Sequence, residues 1–367
     1  MPRVCILTTV HPPFDTRIFH KQAKTLKRAG YNVVLIAQHN EPTTVDDINL
    51  IALPRPRNRL TRLFGLSGQA FRLAFRQKAE IYHFHDPELI PVGLALKALT
   101  RARVIYDIHE DYPQQILSKA WIPPALRRPI ALGMAALERV AAWTLDGLVA
   151  ATPTIARRFP SAKTIVVRNF PQLSELTPAS SNVPYTARPP LAVYIGRITT
   201  IRSASEIVAA IGQIEGNAEL TLAGAFESPA LKKRLTQLAG WQRTHFAGWL
   251  NRPQVAALLG QARVGLVLFY PEPNHLNALP NKIFEYMAAG IPFVASDFPL
   301  WREIGEGAGL FVDPRDPHAI AQAIQWLLEH PAEAQAMGER GRALVEREYN
   351  WAREAEKLLH LYQRLLS

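Results

Sequence analysis

The stretch Asn277-Ala-Leu-Pro-Asn-Lys-Ile-Phe-Glu285-Tyr-Met-Ala-Ala-Gly290-Ile-Pro-Phe-Val-Ala-Ser-Asp297 constrains this chain most. Pro280 suits the first turn of a helix, where a missing N–H costs nothing. Ile283, Phe284 and Met287 form one apolar stripe at helical spacing. Gly290 stops the helix and Pro292 lies just beyond it. Residues 291–295 then read as a short buried strand, as do residues 264–269 upstream. The unit is strand, loop, helix, strand, which is the grammar of a parallel α/β sheet. The loop at 270–280 falls at the carboxyl end of its strand, where such sheets bind ligands. Free N–H groups at the following helix start favour an anion there. Lys282 gains nothing from the helix dipole in that first turn, so a nearby anion would explain it. The alternative is a surface ion pair with Glu285, three residues on.

At 367 residues the chain exceeds one ordinary core, so two domains are expected. Cys5 is the single cysteine, which excludes an internal disulfide and suits a reducing compartment. Lying in an apolar strand, it reads as core rather than nucleophile. No secretory leader and no bilayer-spanning run are expected. The net charge of +11 favours a polyanionic partner, although none of the usual nucleic-acid modules is present.

The chain opens with strand 3–10, loop 11–17, helix 18–29 and strand 31–37, without a G-x-G-x-x-G. Asp15 caps that helix or acts as a base. Arg17 lacks a structural reason near a helix N-terminus and is expected to meet substrate. Residues 55–78 alternate apolar and basic side chains, as in a helix lying on an anionic membrane or packed on its own sheet with a solvated basic face. Trp121 to Arg128 is a shorter candidate contact of the same kind. Two strands end in His83-Phe-His85-Asp86-Pro-Glu88 and in Asp107-Ile-His109-Glu110, which marks a pocket mouth. His83 and His85 share a strand face, so a metal there needs a third ligand. Residues 171–190 read as a linker. In the second half, strand 191–195 runs into Gly196-Arg197-Ile-Thr-Thr-Ile-Arg202-Ser203. Gly196 allows close backbone approach, and two guanidiniums in one strand-to-helix loop suit phosphate oxygens. Trp249, in Ala247-Gly248-Trp249-Leu250, either stacks on a ligand or packs in the core.

These residues resemble the signature of the family 4 glycosyltransferases, which have the GT-B fold. Glu285 matches the second glutamate of that signature, and Met287-Ala-Ala-Gly290-Ile-Pro-Phe-Val294 matches its small-residue turn and apolar strand. Asn277 stands where the first glutamate belongs and keeps hydrogen-bonding capacity without charge. Gly196-Arg197 matches, with Arg202 in place of the usual lysine. Asp15-Thr-Arg17 is similar to a bacterial envelope and capsular polysaccharide subgroup.

The resemblance implies an α/β protein of two Rossmann-like domains facing a cleft. Residues 1–172 would hold the acceptor, 188–349 the nucleotide-sugar, and a final helix at 350–367 would cross back to the first domain. Gly196, Arg197, Arg202, Leu279, Pro280, Asn281 and Lys282 would surround the diphosphate. Gly248 and Trp249 would lie against the base, and Glu285 would anchor the ribose. Asn277 and His109 would orient the sugar, with His85 and Asp86 behind or beside the acceptor. The implied chemistry is retaining hexosyl transfer from a nucleoside-diphosphate sugar, UDP-linked, with no cofactor and no metal. The implied acceptor is a lipid-linked saccharide, met in the cytoplasm at the inner membrane, with 55–78 on the anionic surface. An inverting course would call on Asp15 as base. The alternatives are a sugar-nucleotide epimerase of the same fold and a non-catalytic sugar-nucleotide or polyanion binder.

Overall fold

Runs of Val, Ile, Leu and Tyr buried on both faces, such as Ile81–Phe84 and Gly147–Ala150, form strands only where helices cover both sides of a sheet. The computed structural model describes residues 1–367 apart from 59, 60, 120, 177–182 and 277 and the side chains of 63, 64 and 274. It divides into two units, Met1–Asn169 with Ala352–Ser367, and Phe170–Trp351.

The first unit contains β1 (Arg3–Leu7), β2 (Asn32–Gln38), β3 (Thr43–Val45), β4 (Ile48–Leu53), β5 (Ile81–Phe84), β6 (Arg103–Ile108), β7 (Gly147–Ala150) and β8 (Thr164–Val166). Their order across the sheet is β3-β4-β2-β1-β5-β6-β7-β8. All neighbours pair in parallel except β3, which runs antiparallel to β4 at the edge. The order reverses between β1 and β5, so the crevice of the sheet lies at their carboxyl ends. The first helix starts with wide turns over Thr16–Ala23, where both Phe19 and His20 donate to the Asp15 carbonyl, before ordinary α geometry at Lys24–Arg28. The C-terminal helix Trp351–Leu366 lies on this sheet: Leu358, Leu361 and Tyr362 are buried, and Tyr362 Oη is 2.7 Å from His83 Nδ1.

The second unit contains β9 (Leu191–Ile195), β10 (Glu219–Ala223), β11 (Thr244–Gly248), β12 (Val264–Val267), β13 (Phe293–Ser296) and β14 (Gly309–Val312), ordered β11-β10-β9-β12-β13-β14 and all parallel. Here the reversal falls between β9 and β12. These two strands pair only at Val264–Ala192 and Gly265–Val193 before they part. Tyr286, from the helix Asn281–Ala288, fills the gap. Its hydroxyl accepts from Ile195 N at 3.3 Å and lies 3.3 and 3.4 Å from the Val193 and Leu266 carbonyls. Gly265 makes room for the ring, because a Cβ there would lie 2.4 Å from it. Both units are thus Rossmann-like, the doubly wound fold the sequence implied.

Candidate active site

The two loops that leave β9 and β12 meet at the crevice of the second unit. Gly196 (φ +122°) follows β9, and its N–H donates to Ala223 O at 2.7 Å. Gly224 closes β10 at φ +148°, and any Cβ on it would fall 2.0 Å from Gly196 O. This backbone contact fixes the start of the 196–203 loop. Tyr194 Oη donates to Arg197 O at 2.8 Å, and Arg202 Nη1 reaches the same carbonyl at 3.4 Å. The Arg202 guanidinium lies 5.0 Å from the centre of the Phe269 ring, and Lys282 Nζ lies 5.5 Å from that same centre. One cation from the 196–203 loop and one from the first turn of the Asn281–Ala288 helix therefore share one aromatic ring.

Lys282 is 8% exposed, and its ammonium sits 3.6 Å from the Tyr194 ring centroid with no hydrogen-bond acceptor among the described residues. Burial and then the nearby Arg202 push its pKa well below the ordinary 10.5, with Glu285 opposing. On the Arg202 side, at the end of the 196–203 loop and the start of the next helix, the Thr199, Ser203 and Ser205 hydroxyls are buried without partners among the described residues. Ser203, at φ +51°, directly precedes the helix Ala204–Gln213. Unpaired buried donors beside a helix N-terminus form an anion site. Arg197 is exposed, and its side chain makes no hydrogen bond or ion pair among the described residues.

Lys282 and Glu285 do not pair with each other. Glu285, 15% exposed, instead takes Arg252 Nη1 on Oε1 at 2.6 Å, and Arg252 Nε reaches Glu175 at 3.2 Å. Sequence reasoning missed Arg252; it stands at the start of a helix capped by Asn251, a position with no distinguishing signal. Pro280 is the N-cap rather than a residue of the first turn, and Asn281, the first helical residue, is exposed. Leu279 packs beside Phe170, Phe284 and Ile304, and Trp301 Nε1 holds Ala278 O at 2.8 Å. Gly248 (φ +68°) accepts from Gly224 N at 2.6 Å, which ties its loop to the β10 end. Trp249 is 77% exposed, so it is not core. Asn277 lies outside the described residues.

In the first unit the β1 and β5 ends are joined by Asp86, whose Oδ2 accepts from Thr8 Oγ1, Thr9 N and Val10 N. Asp15 caps the first helix, accepting from Arg17 N at 2.8 Å and Ile18 N at 3.0 Å. Burial opposes its charge, but the hydrogen bond from His11 and the two N–H groups outweigh burial and bring its pKa to about 2. A carboxylate so acidic is poorly matched to a general base at neutral pH. The expectation that Arg17 meets substrate is overturned. It is 4% exposed and holds both oxygens of the fully buried Asp107 at 2.8 and 3.1 Å. Asp107 also receives Gln22 Nε2 at 2.5 Å and lies near His83, His85 and His109. Burial disfavours the Asp107 carboxylate, but Arg17 and the histidines hold its pKa well below 3.8. His109 Nε2 is 3.0 Å from His85 Nδ1 and 3.3 Å from Asp107, and the ring is partly open to solvent.

Asp107 also supplies the third donor that the His83–His85 pair lacked, since candidate ligand atoms of the three lie within 4.8 Å of one another. The donor set fits a metal poorly, because Arg17 occupies the carboxylate and Tyr362 is bonded to His83.

Two family models match in tandem: "Glycosyl transferase 4-like domain" over 16–169 and "Glycosyl transferases group 1" over 189–330. The chain belongs to the family 4 glycosyltransferases of the GT-B fold. It is 22% identical to the glycogen synthase of Mycobacterium tuberculosis over 98% of this chain and 94% of that one. It is 30% identical to the D-rhamnosyltransferase WbpZ of Pseudomonas aeruginosa, over 28% of this chain and 27% of that one. Among solved structures, sucrose-phosphate synthase from Thermosynechococcus elongatus superposes with a TM-score of 0.79 at 21% identity, covering 100% of this chain and 99% of the other. Anabaena HepE in complex with UDP-glucose gives 0.74 at 14% identity, over 99% and 100% of the two chains. A family 4 glycosyltransferase is an enzyme, and the cation pair of the second unit is the feature to be explained by its chemistry.

Proposed function

We propose that this glycosyltransferase moves a hexosyl group from a nucleoside-diphosphate sugar, UDP-linked, to a lipid-linked saccharide, with retention and without a metal. The observation that carries the reading is the buried, unaccepted ammonium of Lys282 beside Arg202 at the crevice of the second unit. A diphosphate would supply the missing acceptors and remove the repulsion between the two cations. Gly196, Arg197, Arg202, Leu279, Pro280, Asn281 and Lys282 line the diphosphate in this reading. Negative charge grows on the leaving diphosphate in the transition state, and fixed cations stabilise it most there. The bond from C1 to the diphosphate oxygen breaks, the acceptor oxygen bonds to C1, and the acceptor proton passes to the departing phosphate.

Glu285 holds the ribose hydroxyls, with Arg252 fixing its carboxylate, and Gly248 and Trp249 border the base. His109 and Asn277 orient the sugar. The UDP preference draws on Anabaena HepE, whose solved complex contains UDP-glucose. The first unit serves the acceptor. Within 55–78, the helix Ser67–Gln77 puts Ala70 and Ala74, with Leu66 just ahead of it, in the core and leaves Arg72 and Arg76 exposed for an anionic surface, while 59 and 60 lie outside the described residues. No described helix is long and apolar enough to cross a membrane.

Calorimetric titration with UDP, GDP and ADP tests the donor site. UDP is expected to bind tightest, and Lys282→Met to weaken it at least tenfold. Equal binding by wild type and variant would overturn the assignment. NMR of the enzyme with a UDP-sugar alone separates transfer from epimerisation, because an epimer would appear with no acceptor present.

A further inference from the structure

The helix Pro124–Thr144 presents an apolar face to solvent. Leu126, Ile130, Leu132, Val140 and Trp143 are 50, 43, 71, 53 and 75% exposed, and Trp121, just ahead of the helix, is 57% exposed. Their spacing places them on one outward arc, filled in by Pro129, Gly133 and Ala136. The opposite side of the helix is already satisfied. Ala131 and Met134 pack with Ile116 and Ile122, and Ala141 and Ala142 join the core of the first unit. The only acid of the helix, Glu138, is buried and ion-paired to Arg158 at 2.5 Å. The exposed cations Arg128 and Arg139 stand on one margin of the arc, and Lys119 lies beside Trp121. Apolar side chains this exposed and contiguous mark a contact surface.

We infer that this face lies in the interface of an anionic phospholipid membrane, the arc from Leu126 to Trp143 entering the acyl boundary and Arg128, Arg139 and Lys119 meeting headgroup phosphates. Charge complementarity selects the occupant. The margin offers cations and no acid, which suits an anionic surface. A two-fold contact that sets this helix antiparallel to a second copy would instead bring like charges of the same margin near each other. Tryptophans at both ends of the segment suit the polar–apolar boundary. The inference stands apart from the sugar chemistry, although it would place the enzyme where a lipid-linked acceptor lies.

The test is flotation of the full chain with vesicles of phosphatidylglycerol and phosphatidylcholine, compared with phosphatidylcholine alone. Wild type is expected to float with the anionic vesicles, less so as salt rises. Leu132→Asp with Trp143→Asp is expected to lower the bound fraction at least tenfold at unchanged UDP affinity. Lipids brominated on the acyl chain provide a readout on the wild type itself, quenching its tryptophan emission, with less quenching in Trp143→Phe. Undiminished flotation of the double variant, or no quenching, overturns the proposal. So does a wild-type dimer that ignores vesicles and becomes monomeric in the double variant, which would make the face a self-association surface. UDP binding in the same preparations keeps a failure here separate from a failure of the donor site.

Discussion

The Lys282 amine is largely buried, and burial disfavours its charge. Its folded pKa is lowered, so below the ordinary 10.5 the folded chain binds fewer protons than the unfolded one. Stability should therefore rise with pH across that window and flatten in Lys282→Met. A diphosphate restores the charge. Binding of UDP at pH 9 should take up protons, measured by calorimetry in buffers of different ionisation enthalpy, and Lys282→Met should abolish the uptake. His11 and Asp15 behave oppositely. Burial works against the His11 charge, but Asp15 and Asp86 raise its pKa above 6.5, so its contribution is full below 6.5 and is lost as pH rises. The Asp15 contribution, worth about 2 kcal/mol, is present above 3.8 and is lost as pH falls toward about 2. Thermal melts of Asp15→Asn should show a smaller acid-side fall, with Asp107 still contributing, and those of His11→Gln a smaller decline above 6.5.

The buried Arg17–Asp107 pair gives another residue-scale test. Arg17→Met leaves a carboxylate uncompensated in the core and should cost about 3–5 kcal/mol in denaturant melts, while the double change Arg17→Met, Asp107→Leu should recover much of it. The same pair shows where sequence reading stops. A cation near a helix start with no local reason suggested a ligand for both Arg17 and Lys282. For Lys282 it led to a buried ammonium that shares the Phe269 ring with Arg202; for Arg17 it failed, because the partner is ninety positions away on β6. Local spacing carries no information about such a partner.

At the scale of elements, β1, β2, β5, β6, β9, β12 and β13 were legible, because strands buried on both faces are continuous apolar runs. The edge strand β3, Thr43–Val45, was not; three half-exposed residues carry no pattern of their own. Nor were the wide turns of Thr16–Ala23. Of the exposed face of Pro124–Thr144 only the start, Trp121 to Arg128, was singled out; the rest was hidden for the opposite reason, since an apolar alanine-rich helix is normally taken to be covered. Tyr286 and Gly265 show an element fitted to its sheet. Gly265→Ala would drive a methyl into the tyrosine ring and open the β9–β12 gap. We expect a loss of about 1–3 kcal/mol in stability, read by thermal melting, together with weakened UDP binding.

At the scale of the whole chain, the second unit is one continuous stretch, Phe170–Trp351, while the first is completed only by Ala352–Ser367. The returning helix is structural for that sheet, with Tyr362 fully buried against His83. Residues 170–351 made alone should fold and bind UDP. Residues 1–169 alone should give poorly dispersed NMR spectra that sharpen when a peptide of 352–367 is added. Periodicity exposed both sheets and the amphipathic last helix, but the sheet it covers was known only through family resemblance.

The late position of that helix sets an order on the ribosome. The second unit can reach its native state while translation continues, whereas the unit synthesised first waits, with His83 uncovered, until Ala352–Ser367 has been made. A message cut just before codon 352 would therefore harm the oldest part of the polypeptide and spare the newer one.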